Sequence, residues 1–223
     1  MIDRKVICEE ADAWFLRNKE EIEKSGESVA MNMIVDFIKK SMPDIHKILE
    51  VGSSDGHNLF FLNQKLEGVE FCGIDPSSQA IEYGNKKAEV DGVAVHLIQG
   101  FSDELPYEDE SFDMLYLGFC LYQVERKYLF KSLMEADRVL KPGGFCIITD
   151  FDTPIQFRRD NVHNSLVYTY KTDYAEFLIP YGYTLVEKKM YSHRGDAFDS
   201  EIQERISTQI FYKEKTEDYY IKG

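Results

Sequence analysis

From about residue 47 to residue 149 the chain alternates short apolar runs with segments whose apolar residues recur every three or four positions. Lys47-Ile-Leu-Glu-Val51, Glu70 to Ile74, Ala94 to Gln99, Phe112 to Leu117 and Phe145 to Thr149 read as strands. Between them the spacing predicts helices: one carrying Leu59, Leu62 and Leu66, one over Ser77 to Val90, and one over Glu125 to Leu140 with apolar residues at 129, 133, 136 and 140. Lys141-Pro-Gly-Gly144 breaks the last helix ahead of a strand apolar enough to be covered on both faces. Two helices precede the sheet, about Glu9 to Lys24 and Val29 to Met42, the second stopped by Pro43.

Strands alternating with helices imply a doubly wound, Rossmann-like, mostly parallel sheet. After Asp150 the pattern changes to a polar and aromatic stretch, a short helix near Tyr174 to Leu178, and two strands, Tyr183 to Met190 and Ile206 to Tyr212. With no helix between them, these two predict an antiparallel terminal hairpin at the edge of a seven-stranded sheet. The expectation is one domain over 1–223: a helical cap (1–43), a ligand-binding core (44–150), an insertion (151–180) and the terminal hairpin (181–223). A chain of 223 residues suits one such α/β domain.

Composition narrows the partners. Forty acidic against 26 basic residues give a net charge of -14, which repels a phosphate backbone, so nucleic acid is excluded as an expected partner. No window approaches the ~20 apolar residues that span a bilayer, and the first residues lack the apolar core of a signal peptide. The expectation is a soluble cytoplasmic protein, monomeric or homodimeric. The four cysteines are far apart, with no metal-ligand spacing and no disulfide framework, so no metal is expected.

The turn after the first strand, Glu50-Val-Gly-Ser-Ser-Asp-Gly56, lies at the carboxyl end of the strands, where open α/β sheets bind ligands. Gly52 lets backbone approach a ligand closely, and the following helix offers amide donors to an anionic group. The turn lacks the Gly-x-Gly-x-x-Gly spacing of a dinucleotide fingerprint, because Ser54 replaces the middle glycine. Asp75, ending the second strand, can accept hydrogen bonds from both ribose hydroxyls; a solvated loop carboxylate is the alternative for it and for Glu50.

Ile48-Leu-Glu-Val-Gly-Ser-Ser-Asp-Gly56 resembles motif I of the class I S-adenosylmethionine-dependent methyltransferases. Phe71-Cys-Gly-Ile-Asp-Pro-Ser77, Leu105-Pro-Tyr-Glu-Asp-Glu-Ser-Phe-Asp113 and Glu135-Ala-Asp-Arg-Val-Leu-Lys-Pro-Gly-Gly144 resemble further stretches of that family, in order and over about half the chain. The resemblance implies S-adenosylmethionine as cofactor, S-adenosylhomocysteine as product, and a cofactor site of Arg17, Glu50, Gly52, Ser53, Ser54, Gly56, Asp75, Pro76, Gly100, Phe101, Ser102 and Leu117. Phe101 stands where many relatives carry an Asp that binds the adenine amino group. Adenine is therefore expected to stack on Phe101, with the backbone of Gly100 and Ser102 donating.

Methyl transfer from a sulfonium asks mainly for a positioned nucleophile and exclusion of water; a base helps when the acceptor is a hydroxyl or a protonated amine. His163 in the insertion is the expected base, with a surface or structural role as the alternative. Asp150 and Asp152 are expected to orient an acceptor or assist His163, or else to cap turns. Arg158 and Arg159 would clamp a phosphate or carboxylate, with solvated charge as the alternative, and Tyr122 and Gln123 would line the acceptor site. The 149–174 stretch resembles a bacterial subgroup associated with surface-polysaccharide and sugar- or nucleotide-linked biosynthesis, implying O- or N-methylation of a small polar, phosphorylated or sugar-linked acceptor. Two alternatives remain: a nucleotide-dependent oxidoreductase, and a non-catalytic S-adenosylmethionine-binding accessory protein.

Overall fold

A computed structural model describes residues 3–24, 28–41, 44–161, 163–164 and 166–215. Two helices, α1 (Arg4–Lys24) and α2 (Val29–Ser41), lead into β1 (Lys47–Val51), α3 (His57–Lys65), β2 (Glu70–Asp75), α4 (Ser78–Asp91) and β3 (Val95–Gln99). Then follow β4 (Phe112–Gly118), α5 (Arg126–Val139), β5 (Leu140–Phe151), β6 (Phe157–Asp160), β7 (Tyr168–Lys171), β8 (Tyr183–Ser192) and β9 (Arg205–Lys213). Pro43, the expected stop of α2, and 216–223 of the expected hairpin region lie outside the described residues.

Seven strands form one sheet in the order β3-β2-β1-β4-β5-β9-β8. The first five are parallel, and β9 is antiparallel to both β5 and β8. Two antiparallel pairings in succession make β8 parallel to β5, so β8 ends on the same side of the sheet as β1, β4 and β5. One apolar cluster, built on α2 and α3 with Ile48, Phe71 and Met114, covers one face; a second, built on α5 with Leu49, Leu115 and Ile148, covers the other. Burial on both faces explains why the strands read as unbroken apolar runs.

Several residues of the ordered motifs hold strand ends together. Asp113 accepts the amides of His46 and Lys47, both at 2.9 Å, and pairs with Lys141 at 2.6 Å, joining the starts of β1, β4 and β5. Arg138 donates to the carbonyls of Tyr107 and Leu105 at 2.8 and 2.9 Å, while Glu135 accepts the Leu105 amide at 2.8 Å. These side chains supply partners for backbone groups that would otherwise be orphaned in the loop before β4.

Two expectations are revised. β5 begins at Leu140, not Phe145, because Leu140 pairs with Phe112 across the turn. The insertion contains a separate two-stranded hairpin, β6 with β7, and the helix expected near Tyr174 to Leu178 is instead two short 3-10 turns, Ala175–Phe177 and Ile179–Tyr181.

Candidate active site

The loop after β1 is wound tightly onto β2. The amides of Gly52 and Ser53 both donate to the Ile74 carbonyl, at 2.8 and 3.1 Å, and Gly56 N–H donates to the Ser53 carbonyl at 2.8 Å. Gly52 has φ +80°, and a Cβ on it would lie 2.5 Å from the Cys120 Cβ, so only glycine fits. Ser54 takes φ +49° where the family motif has glycine, a conformation that costs a residue with a side chain roughly 1–2 kcal/mol. Its amide is repaid by a 2.9 Å bond to Asp75 Oδ2.

Carboxylates surround this loop. Asp75 Oδ1 accepts the Ser77 amide at 2.8 Å, so each oxygen holds one amide and keeps a lone pair for a ligand. Burial pushes its carboxyl up to about 6, against the pull of the Ser77 and Ser54 amides. Glu50 is 1% exposed, and burial pushes it up to about 7 although His57 and Asn58 pull it down. Asn58 Nδ2 donates to Glu50 Oε1 at 2.7 Å, while Glu50 Oε2, Ser53 Oγ and Ser54 Oγ are buried without a partner. His57 Nδ1 lies 2.9 Å from Asp55 Oδ1; burial works against its imidazolium, but Asp55 and Glu50 outweigh that and raise its pKa.

Above the loop lies a cavity of about 500 Å³. Helix α1 gives it one wall: Ile7, Ala11, Trp14 and Asn18 fall on one stripe at helical spacing and face the cavity. Asp12 fixes that helix over the start of α4, accepting from Ser77 Oγ at 2.7 Å and the Gln79 amide at 3.1 Å. The opposite wall combines Phe119 and Tyr122 after β4, Tyr128 of α5, Tyr168 and Tyr170 of β7, and His193 just beyond β8. Four carboxylates line the cavity (Glu10, Asp75, Asp103 and Glu125), and among the described residues no lysine or arginine does.

Of the expected cofactor residues, Gly52, Ser54, Asp75, Pro76, Gly100, Phe101 and Ser102 line the cavity. Glu50 and Ser53 lie behind the loop, fully buried, and Gly56 shapes the turn into α3 with φ +77°. Leu117 does not line the cavity: it is 1% exposed in the core under α5, and its neighbour Gly118 reaches the cavity instead. Arg17 is spent on Glu10 at 2.7 Å, away from the lining. One face of Phe101 is covered by the Arg4 guanidinium, 4.4 Å from the ring centroid, and the Gly100 amide already donates to the Asp75 carbonyl at 3.0 Å. The Gly100 amide is thus engaged within the protein, while Phe101 keeps its place in the cavity lining with one face taken.

Of the expected acceptor residues, only Tyr122 and Gln123 line the cavity. Burial drives the Tyr122 phenol up to about 12, so at neutral pH it is a hydrogen-bond donor and not a base. Asp150 is buried beneath the cavity, accepting the Phe151 and Tyr122 amides at 2.8 and 3.2 Å, which fixes the loop after β4; burial pushes it up to about 7. Asp152, itself buried, is 2.6 Å from the more exposed Lys188 in an ion pair. His163 is exposed in the turn between β6 and β7, with its amide donating to Asn161 Oδ1, and is absent from the lining. Arg158 and Arg159 are exposed on β6, Arg158 over the Tyr168 ring at 4.7 Å.

His193, Tyr128, Tyr168, Tyr170 and Asn18 were missed. A signal existed for His193, since a strand ending at residue 190 and parallel to β5 delivers the next few residues to the carboxyl edge. The β7 tyrosines carried no such signal, because the pairing of β6 with β7 was not visible in the sequence.

The sheet order, the wound loop after β1 and the carboxylate after β2 agree with the resemblance to class I S-adenosylmethionine-dependent methyltransferases. Residues 48–144 match the family described as Methyltransferase domain. The chain is 32% identical over 155 residues to a demethylmenaquinone methyltransferase of Staphylococcus aureus, covering 61% of this chain and 63% of that protein. It is also 32% identical over 108 residues to the ubiquinone/menaquinone biosynthesis C-methyltransferase UbiE of Bartonella henselae, covering 47% of this chain and 41% of that one. The chain thus spans about half the length of these curated relatives. Among solved structures, the Burkholderia thailandensis 1,6-didemethyltoxoflavin-N1-methyltransferase, bound to 1,6-didemethyltoxoflavin and S-adenosylhomocysteine, superposes with a TM-score of 0.71 over 96% of this chain and 92% of its own, at 14% identity.

The residues present fit S-adenosylmethionine, the cofactor of the class. His57, its pKa raised, lines the cavity and suits a carboxylate, while Glu50 Oε2 is buried without a partner just behind the loop. Asp75 has lone pairs for two hydroxyls, and the acidic lining suits a sulfonium. Among the described residues no helix is long and apolar enough to cross a membrane.

Proposed function

We propose that this protein transfers a methyl group from S-adenosylmethionine to a small, flat acceptor that is uncharged or cationic. The observation that carries the reading is the cavity wall: the aromatic side chains of Phe119, Tyr122, Tyr128, Tyr168 and Tyr170, four carboxylates, and no lysine or arginine among the described residues. Aromatic rings give a flat acceptor large contact area with defined stacking geometry, while an anionic acceptor finds no lysine or arginine in the lining to pair with. The phosphorylated, sugar-linked acceptor implied by the sequence has less support, since Arg158 and Arg159 do not line the cavity, Arg158 lying instead over the ring of the lining Tyr168. The relatives support it: two are named for ubiquinone or menaquinone methylation and one for N1-methylation of 1,6-didemethyltoxoflavin.

Glu50, His57 and Asp75 would hold the cofactor, and the bound cofactor supplies an electrophilic methyl group. Helix α1 and the β6–β7 hairpin cover the acceptor and exclude water. We further place the protein in the cytoplasm, as a monomer or homodimer of one domain.

The test is calorimetric titration with S-adenosylmethionine and S-adenosylhomocysteine, followed by isotope-labelled methyl transfer to 1,4-naphthoquinol, catechol, a fused nitrogen heterocycle and glucose 6-phosphate. Label on at least one flat acceptor and none on the sugar phosphate is the expected result. Binding of both adenosyl ligands with transfer to none would favour the non-catalytic accessory role. Transfer to glucose 6-phosphate alone would overturn the acceptor class.

A further inference from the structure

We propose that His193 is the base of the acceptor pocket, taking the proton from an acceptor O–H or N–H as the methyl group is transferred, with Lys171 as a positioning residue against the Phe151 ring on which the imidazole stacks. The proposal rests on the methyl-transfer reading above and adds the group that removes the proton. In the step, the acceptor heteroatom bonds to the methyl carbon, the carbon–sulfur bond breaks with its electron pair going to sulfur, and the acceptor proton passes to His193. From the exposed rim the proton then leaves to solvent.

Elimination within the cavity comes first. Glu10 is paired with Arg17 at 2.7 Å, Asp103 with Arg4 at 3.1 Å, and Glu125 with Lys127 at 2.7 Å. Asp75 holds two backbone amides and His57 is bonded to Asp55, whose charge favours the imidazolium over the free base. The Tyr122 phenol is too weak an acid to lose its proton near neutral pH. His193 differs: its backbone is pinned by a 2.7 Å bond from its amide to the Glu204 carbonyl, while its ring nitrogens make no hydrogen bond or ion pair with the described residues.

The ring is nevertheless held in place. It stacks on Phe151, with centroids 5.9 Å apart and planes 15° apart, and meets Phe119 edge-on at 5.7 Å. Phe119 adopts φ +49°, a conformation that a bulky residue keeps only where its surroundings enforce it. Its amide donates to the Thr149 carbonyl at 2.8 Å, fixing the turn after β4 against β5. These contacts aim an unengaged imidazole at a cavity wall, which is the geometry a base requires.

The charges around it come from three elements. Lys171 of β7 is buried, donates to the Gln203 carbonyl at 2.6 Å, and sits 3.8 Å from the centroid of Phe151, the ring on which His193 stacks. Arg194, in the turn after β8, pairs with Glu204, ahead of β9, at 3.1 Å, so the carboxylate that would hold a proton on His193 is partly neutralised. Burial, then Lys171 and Arg194, lower the His193 pKa, with Glu204 opposing. A lowered imidazole is free base at neutral pH and ready to accept.

The test is an NMR titration of the His193 ring in the S-adenosylhomocysteine-saturated protein, assigned by His193→Gln, together with pH–rate profiles on whichever acceptor takes label. His193 should titrate below an ordinary histidine, Lys171→Met should move it upward, and Glu204→Gln, kept in case the lysine variant misfolds, should move it downward. With an acceptor in hand, His193→Gln should lower kcat about 100-fold without changing S-adenosylhomocysteine affinity, and Lys171→Met should shift the acid limb of the kcat profile to higher pH. An ordinary or raised titration unmoved by both variants, or full turnover in His193→Gln, overturns the proposal. A failure to bind either adenosyl ligand would instead strike the methyl-transfer reading, and is told apart by repeating the NMR titration on the free protein, where the His193 ring should still titrate low and respond to both variants.

Discussion

The loop of residues 50–56 and the β6–β7 hairpin both line one cavity, and they are made in different ways. The loop is buried, its amides bonded to Ile74, Ser53 and Asp75, and its conformation allows no side chain at Gly52. The hairpin has strands of four residues each, with β6 largely exposed, and reaches the cavity through the side chains of Tyr168 and Tyr170. Backbone geometry thus constrains the cofactor side far more tightly than the acceptor side, where side chains on a peripheral element set the shape. Such a division lets one core serve many acceptors.

The largest effect should come from Gly52→Val. The added side chain collides with Cys120 in a backbone conformation it resists, and S-adenosylhomocysteine affinity should fall more than 100-fold, about 3 kcal/mol, with the circular dichroism spectrum retained. Intact affinity would erase the distinction between the two sides. Asp75→Ala comes next: it removes the hydroxyl acceptor and orphans the Ser54 and Ser77 amides, so binding should weaken about 10- to 100-fold by calorimetry.

On the acceptor side, Tyr168→Ala with Tyr170→Ala should raise acceptor KM about tenfold and leave S-adenosylhomocysteine affinity unchanged. A loss of cofactor affinity in that variant would show the two halves to be one unit. Arg158→Ala with Arg159→Ala should be smallest, within about twofold in kcat/KM and about 0.5 kcal/mol in stability.

The buried carboxyls sharpen the contrast through pH. Glu50 and Asp75 titrate near 7 and near 6 in the folded protein, above their ordinary values, so the folded state holds more protons than the unfolded one. Their contribution to stability is full below about pH 4 and declines as pH rises through about 6 and 7. The urea midpoint should therefore fall between pH 5 and pH 8, and by less in Glu50→Gln. A cationic ligand favours the ionised carboxylates, so S-adenosylmethionine should bind about tenfold tighter at pH 8 than at pH 5 and release protons on binding.

How much could be read in advance follows the same line. The order of strands and helices, the turn at Gly52 and the acid at Asp75 were legible, because each rests on residues close in sequence. Asp113, Glu135 and Arg138 were legible as motif residues, but their task of tying strand ends to loops was not. His163 and the two arginines were plausible from their neighbourhood in the chain, yet a hairpin turns them outward. His193 was passed over because its importance depends on β9 lying between β5 and β8.

The sequence by itself determined the doubly wound sheet, the wound loop and the acid that ends β2, since local periodicity and turn chemistry act over a few residues and need no distant partner. Only the tertiary structure decided which side chains wall the acceptor cavity and which nearby charges cancel. Those outcomes hang on contacts between segments far apart in the chain, such as Asp12 on α4 and Lys171 beside Phe151, and on burial that no local pattern encodes.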